Sequence, residues 1–557
     1  MKGDFARFTF DPTLHYSQVL QQQGRVLLEA DWNEQGRIQL HLLRTLIRDL
    51  VGPCWAVGDG FTISTSSPPN ADGTSKSLQP PDWLLKAGHF YVDGILCVNE
   101  ADCTLATQPN APTFDYGTGD GSSGFETQLT NFALWLDVWE RHLCALEAPA
   151  IADVALEGVD TASRAQVVWQ LRMLDQAHAD QRLKDVNSAL NLRMSATADG
   201  AAKATIQRQI DSVTALQGSI DGTANSNGTG NTNDSPCTLV RQVLAARASY
   251  ALPGLSAVLG QAPSDSDPCV IAADARYRGC ENQLYRVEIH QGGLAGTAAA
   301  PGTASFKWSR ENGSVVFPVT SVAPPTAQPD GSAQLVVTLA RLGRDARLGL
   351  AANDWVELVD DDYTLGQRAY PLLKVIGPVD VANSTVTLAV PKGITAWPLS
   401  NAPAKHPLLR RWDHGEDANA PGLVAVVEGT TITLEDNIQI IFAPGGLYAT
   451  GDYWLIPARV AGSGMLYWPT DTSGNPASLP PRGLHHYAVL GVNGDGGLQT
   501  CCCRFDSLCA VIQTLQQQQP GTAPSNAVLA PSAAAKVAGN TNSATKKKSA
   551  VNKPKTG

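Results

Sequence analysis

Short runs of β-forming residues, each closed by Gly, Pro, Asn or Ser, recur along most of this chain, and that punctuation constrains the fold more than any other feature. Ala133-Leu-Trp-Leu-Asp-Val-Trp139, Gly88-His-Phe-Tyr-Val-Asp-Gly-Ile-Leu96, Gln283-Leu-Tyr-Arg-Val-Glu-Ile-His290, Thr385-Val-Thr-Leu-Ala-Val390 and Tyr453-Trp-Leu-Ile456 are strand-length and lack helical spacing. With 50 Gly and 35 Pro among 557 residues, the composition favours turns over long helices. The expected fold class is mainly β and multi-domain, built of sandwiches or small barrels, with an N-terminal helical segment and a helical insertion.

The chain is too long for one hydrophobic core. Texture divides it into an N-terminal helical docking segment (1–59), a β domain (60–170), a helical hairpin insertion with a low-complexity loop (171–260), a continuation of the β domain (261–330), a small barrel-like domain (331–420), a C-terminal β domain (421–510) and a disordered Ala/Pro/Lys tail (511–557). In the first segment, Asp11 before Pro12 reads as an N-cap and first helical residue, with a helix running through Leu14 to Gln23 and stopping at Gly24. Asp31 to Glu34 has capping spacing. Ile38, Leu42, Leu43, Leu46, Ile47 and Leu50 then recur at helical intervals until Gly52-Pro53. That apolar face either covers the chain's own sheet or docks another subunit, with Trp32, Leu42 and Leu46 as contacts. Asn312-Gly313, between Phe306–Arg310 and Ser314–Phe317, predicts a tight hairpin, because both positions tolerate positive φ.

A net charge of -11 argues against a nucleic-acid protein read as a whole. The basic exception is the tail, where Lys546, Lys547 and Lys548 could touch nucleic acid, acidic lipid or an acidic partner, or form a solvated tether. The opening Met-Lys-Gly-Asp-Phe has no signal-peptide character and no apolar stretch is long enough for a membrane span, so synthesis is expected to end in the cytosol. Eleven scattered cysteines, an odd number, do not predict a disulfide framework.

The search for catalytic motifs yields no phosphate loop, nucleophile elbow or His-Glu-Xaa-Xaa-His helix, and no cofactor is expected. Glu357 with Asp360, Asp361 and Asp362 could offer oxygens to a hard cation, or be a solvated turn. Arg410 to Asp417 mixes acid, base and anion binder, or forms a charged turn with Trp412 packed beside it. His485 and His486 point to opposite faces of a strand and are not expected to share a metal. Cys501, Cys502, Cys503 and Cys509 lack the usual Cys-Xaa-Xaa-Cys ligand spacing. Trp83, Trp135, Trp139, Trp308, Trp355, Trp412, Trp454 and Trp468 lie on or beside β runs, where one or two exposed indoles could stack on a sugar or anchor a partner.

Several stretches resemble an uncharacterised family of bacterial proteins associated with gene clusters for phage-tail-like contractile injection particles. They are Met1-Lys-Gly-Asp-Phe5, Gln22-Gln-Gly-Arg-Val26, Ala30-Asp-Trp-Asn-Glu-Gln35, Asp137-Val-Trp-Glu-Arg-His142, Tyr285-Arg-Val-Glu-Ile-His290, Phe306-Lys-Trp-Ser-Arg310 and Gly451-Asp-Tyr-Trp-Leu-Ile-Pro-Ala-Arg459. The resemblance implies an assembly role and carries over no catalytic residue. The leading expectation is therefore a non-enzymatic structural or accessory subunit, oligomeric within its particle, assembled in the cytoplasm and released with the particle. The alternatives are a glycan- or cell-surface-binding module and, third, a hydrolase using the Arg410 to Asp417 cluster or the acidic run ending at Asp362.

Overall fold

The computed structural model describes residues 1–68, 74–78, 82–111, 132–156, 160–220, 235–260, 277–296, 302–413, 422–460, 464–494, 496–506 and 511. It divides into two units, Met1–Phe505 and Asp506–Gly557. Lys546, Lys547, Lys548 and the rest of the expected tail beyond Val511 lie outside the described residues, as do Cys509 and the low-complexity loop at 225–233. The first unit is mainly β, as the turn punctuation predicts.

Strand Phe132–Leu143 shows how the N-terminal half is layered. Its first eight residues are all buried, so both of its faces must be covered. Leu134, Leu136 and Val138 join Leu85, Phe90 and Trp169 in one core, beneath a sheet ordered 503–505, 54–57, 88–92, 95–99. Ala133 and Trp135 point the other way, into a core shared with the helical insertion. The insertion holds three described helices rather than a hairpin: α2 (Gln176–Ala196), α3 (Gly200–Ile220) and α4 (Pro236–Tyr250). The break between α2 and α3, Thr197-Ala-Asp199, precedes Gly200 and is closed by the Asp199 carboxylate accepting from the Ala202 N–H (2.7 Å). A disulfide joins Cys237 of α4 to Cys501. A single bridge is not a disulfide framework, and counting cysteines could not reveal it, because its two residues are 264 positions apart in sequence yet adjacent in space.

In the C-terminal half, strands Ser305–Ser309, Gln283–Gln291 and Tyr453–Arg459 form the centre of a five-stranded sheet, packed against a three-stranded sheet of 255–259, 431–433 and 438–442. A six-stranded barrel closes through 316–322, 408–412, 355–359, 373–375, 385–390, 333–339 and back to 316–322. It begins at Val316, earlier than the expected boundary at 331. Asn312 and Gly313 do adopt φ of 52° and 66°, but Ser305–Ser309 and Val316–Val322 belong to different sheets, so the predicted hairpin is corrected to a crossover. The turn propensity is local, whereas pairing is decided by which faces can be buried. Nor do strands of 421–510 form a sheet of their own: they return to complete the sheets begun before residue 310.

At the N-terminus, only Pro12–Leu14 is helical, a single 3-10 turn capped by Asp11, and the expected helix to Gln23 is absent. No apolar periodicity supports it beyond the cap. Helix α1 runs Glu29–Val51, starting two residues before the expected Asp31 cap and ending at Gly52 as expected.

Candidate functional site

Two features stand apart from ordinary packing: a buried ionic junction and an exposed apolar arm. The junction arises from period-2 alternation. In Tyr285-Arg-Val-Glu-Ile-His290, residues 285, 287 and 289 enter the apolar core, so Arg286, Glu288 and His290 must share the opposite face. That face is covered too, by barrel strands 355–359 and 408–412, leaving a charged layer inside the protein.

Charges in such a layer have to be paired. Lys307 Nζ donates to Glu357 Oε1 at 2.6 Å and lies 3.5 Å from Glu288; Arg286 Nε donates to Glu288 Oε2 at 2.5 Å; Lys2 Nζ sits 3.0 Å from the same carboxylate. Tyr363 Oη and Trp412 Nε1 also donate to Glu357, at 2.7 and 2.9 Å. Lys307 rests 4.5 Å above the Trp412 ring, and Arg286 is stacked 3.7 Å from that of Tyr453.

The chain's first residues are threaded into this layer. The Met1 ammonium donates to Tyr453 Oη (2.8 Å), and Asn312 Nδ2 donates to the carbonyls of Met1 and Gly3 (3.2 and 2.8 Å). Thus Asn312-Gly313, expected to close a hairpin, clamps the N-terminal segment instead. A Cβ on Gly3 would come within 2.6 Å of the Phe5 ring and 3.1 Å of His142 Nε2, so this position has no room for a side chain. Five of the seven stretches that carried the family resemblance meet here: Met1–Phe5, Asp137–His142, Tyr285–His290, Phe306–Arg310 and Gly451–Arg459.

The environment shifts several acidities. Burial pushes the Glu357 carboxyl up, but Lys307, His290 and Lys2 outweigh it and hold it down at about 2. Glu288 is likewise held well below its usual range, by Arg286, Lys2 and Lys307 against the effect of burial. Burial, with help from neighbouring cations, lowers Lys2 to about 8, His142 to about 3 and His290 to about 4.

The acidic run does not converge on a metal position, and among the described residues no group of three His, Cys, Asp or Glu side chains could hold one. Glu357 is spent inside the junction. Asp360 caps helix α5 (Asp361–Leu365) by accepting from the Tyr363 N–H, Asp361 pairs with Arg141 and His406, and Asp362 pairs with Lys405. Trp412, expected to be a partner or ligand contact, is 1% exposed and is corrected to a core residue; its indole N–H is needed by Glu357. Of the other tryptophans on β runs, Trp83, Trp135, Trp139, Trp308 and Trp454 are buried as well. His485 and His486 take different partners, Asp137 and Asp93. His414 and Glu416 lie outside the described residues, while Asp413 accepts from Ser309 Oγ (3.0 Å) and the Arg310 N–H. Cys501 is in the disulfide, and burial pushes the Cys502 thiol up to about 12. Sequence reading missed the junction because an alternating polar face looks the same whether water or a second sheet covers it.

The second feature reverses the usual distribution. Among the described residues, 12 of the 24 exposed large apolar side chains fall between Leu14 and Leu50. Trp32 is 69% exposed and Leu46 54%; Leu42, Leu43 and Leu50 are also open. Helix α1 is held by Ala30 and Ile38, which are buried, and by polar ties: Glu29 to the Ala6 N–H (2.9 Å), Gln35 to the Val19 N–H (2.7 Å) and Arg44 to Glu140 (2.8 Å). The reading in which its whole apolar face covers the chain's own sheet is corrected: only Ile38 of that face is buried.

The described chain is thus a mainly β body with a charged layer inside it and exposed apolar side chains along its N-terminal arm and α1. This chain belongs to a family of unknown function, DUF6519, which it matches over residues 1–557. No curated protein matches it. Among solved structures, one of TssK aligns with 77% of this chain and 99% of its own at 10% identity, but with a TM-score of 0.14 the likeness carries no argument. Among the described residues, no helix is long and apolar enough to cross a membrane.

Proposed function

We propose that this chain is a structural subunit of a phage-tail-like contractile particle, acting through protein contacts rather than catalysis, with α1 and the preceding arm as its docking element. The observation that carries this reading is the concentration of exposed apolar side chains from Leu14 to Leu50. An isolated soluble chain rarely leaves such a contiguous surface in water, because covering it removes about 25 cal/mol per Å² of unfavourable hydration. The occupant in this reading is a neighbouring subunit of the particle. A disulfide between Cys237 and Cys501 fits a particle that ends outside the reducing cytosol.

The test is to tag the protein in its native host, collect large particles by ultracentrifugation and identify what sediments with it. Sheath, tube or baseplate proteins in fixed ratio support the reading. A chain that stays alone in the supernatant while particles sediment would sink it.

A further inference from the structure

Beside the junction lies a cavity of about 170 Å³, room for roughly five waters at ~30 Å³ each. A larger cavity, about 430 Å³, runs along Gly3 to Ala6, but its two arginines are already occupied: Arg347 by Glu281 and Glu311, Arg459 by the backbone carbonyls of Gln283, Ala458 and Ala6. The smaller one differs, because its lining has donors without acceptors.

Arg410 lines it and is 5% exposed. Its guanidinium donates to the Gly313 carbonyl, and among the described residues no carboxylate oxygen lies within ion-pair distance of it. Burial pushes the Glu147 carboxyl up, and Arg410, ahead of Arg141, brings it down, yet its oxygens accept from Arg141 (3.3 Å) and the Cys144 N–H (3.2 Å). A buried arginine whose acid stays beyond ion-pair distance is unusual, since guanidinium is always charged and matches planar or tetrahedral oxyanions by geometry. On the same wall, Arg141 Nε, Gln367 Nε2 and His142 Nε2 are buried without a partner. Gln367 is held there at φ +51°, a conformation that costs about 1 kcal/mol or more outside glycine. Arg368, half-buried in the lining, has no ion pair among the described residues either.

Charge points the same way. Lys2, Arg141, Arg286, Lys307, Arg368 and Arg410 face Glu140, Glu147, Glu288 and Glu357, and with Asp361, the other partner of Arg141, included, the cationic side chains exceed the carboxylates by one. What is missing is an acceptor carrying negative charge.

We propose that this cavity is a binding site for a small oxyanion, phosphate, sulfate or a small carboxylate, held by Arg410 with Arg141, Gln367 and Arg368. The site is built where the N-terminal segment, the five-stranded sheet and the barrel meet, so an anion there would tie the three together.

The experiment is isothermal titration of the full chain with inorganic phosphate, sulfate and acetate, at constant ionic strength made up with chloride. The expected result is saturable binding of at least one of them with a Kd below about 1 mM, weakened at least tenfold in Arg410→Gln. Phosphate or sulfate tighter than acetate identifies a tetrahedral ligand; the reverse order identifies a carboxylate. Should Arg410→Gln fail to fold, Gln367→Glu supplies the second variant: its carboxylate would fill the cavity and abolish binding while the chain stays folded. Absence of saturable heat with all three anions, or equal binding in wild type and the folded variant, overturns the proposal.

Discussion

The ionic junction and the α1 arm invert each other. One buries Lys307, Glu357, Glu288 and Arg286 inside the protein, and the other leaves Trp32, Leu42, Leu46 and Leu50 in open water. Burial of charge is tolerated because Glu357 and Glu288 are paired with Lys307, Arg286 and Lys2, and Glu357 accepts three hydrogen bonds. Exposure of leucine is tolerated because α1 is anchored by a few polar ties that do not need its apolar face. The difference teaches that the first region is arranged for the folded chain itself, whereas nothing in the folded chain uses the open face of the second, which is why we propose it as the docking element.

The sharpest way to break that comparison is to remove one partner from each region. In the junction, Lys307→Met leaves Glu357 and Glu288 buried without their shared lysine, and a loss of about 3–5 kcal/mol is expected in chemical denaturation. Adding Glu357→Gln, which removes the stranded charge and keeps an acceptor for one of the two donors Tyr363 and Trp412, should recover more than about 1 kcal/mol of it. A cost below ~1 kcal/mol for the single change would mean that water reaches the pair.

Acidification probes the same region more gently. His142 at about 3 and His290 at about 4 lie below the ordinary imidazole value, so the unfolded chain binds more protons than the folded one between those values and pH 6.5. Their contribution is fully present above about pH 6.5 and falls as pH drops through that window, by up to about 1.4 kcal/mol per pH unit for each group. Glu357, at about 2, has the same sign and loses its contribution between about 4.5 and 2. Denaturation midpoints measured from pH 7.5 to 4 should therefore decline steadily, and His142→Gln should flatten the part below 6.5. A flat profile in the wild type would contradict the burial of both histidines.

A matched pair at the edge gives a smaller effect. Arg44 and Glu140 lie 2.8 Å apart with both side chains more than a fifth exposed. Burial pushes the Glu140 pKa up, yet Arg44 brings it below the usual carboxylate value. Arg44→Ala is expected to cost only about 0.2–1 kcal/mol, because screening and side-chain entropy offset most of the attraction. If it cost as much as Lys307→Met, the contrast between the regions would vanish.

How much of this was legible beforehand depends on which signal each part left. Strand existence was plain in the period-2 runs, and Gly52 marked the end of α1. The faces of Tyr285–His290 were also legible, but not that both are covered, since burial of a polar face depends on a barrel strand such as 355–359, some 70 residues away. Trp412 was misplaced for the same reason: a tryptophan among charges reads as surface until its neighbours prove to be buried charges. Cys237 and Cys501 gave no spacing signal at all, and the use of Asn312 as a clamp required knowing where the first three residues lie.

The smallest expected change in stability falls on the surface with the largest expected role. Leu42→Glu together with Leu46→Glu removes two apolar side chains that touch mainly water, so unfolding free energy should stay within about 0.5 kcal/mol of wild type. Helix propensity barely changes, because glutamate ranks close to leucine. Any loss of particle incorporation in this variant would then come from the interface alone, since two glutamates are costly to desolvate against an apolar partner. Co-sedimentation at least tenfold below wild type, with an unchanged denaturation curve, is the expected outcome. A variant that sediments normally would place the docking element elsewhere, and one that unfolds would show that α1's open face is covered by its own chain in solution.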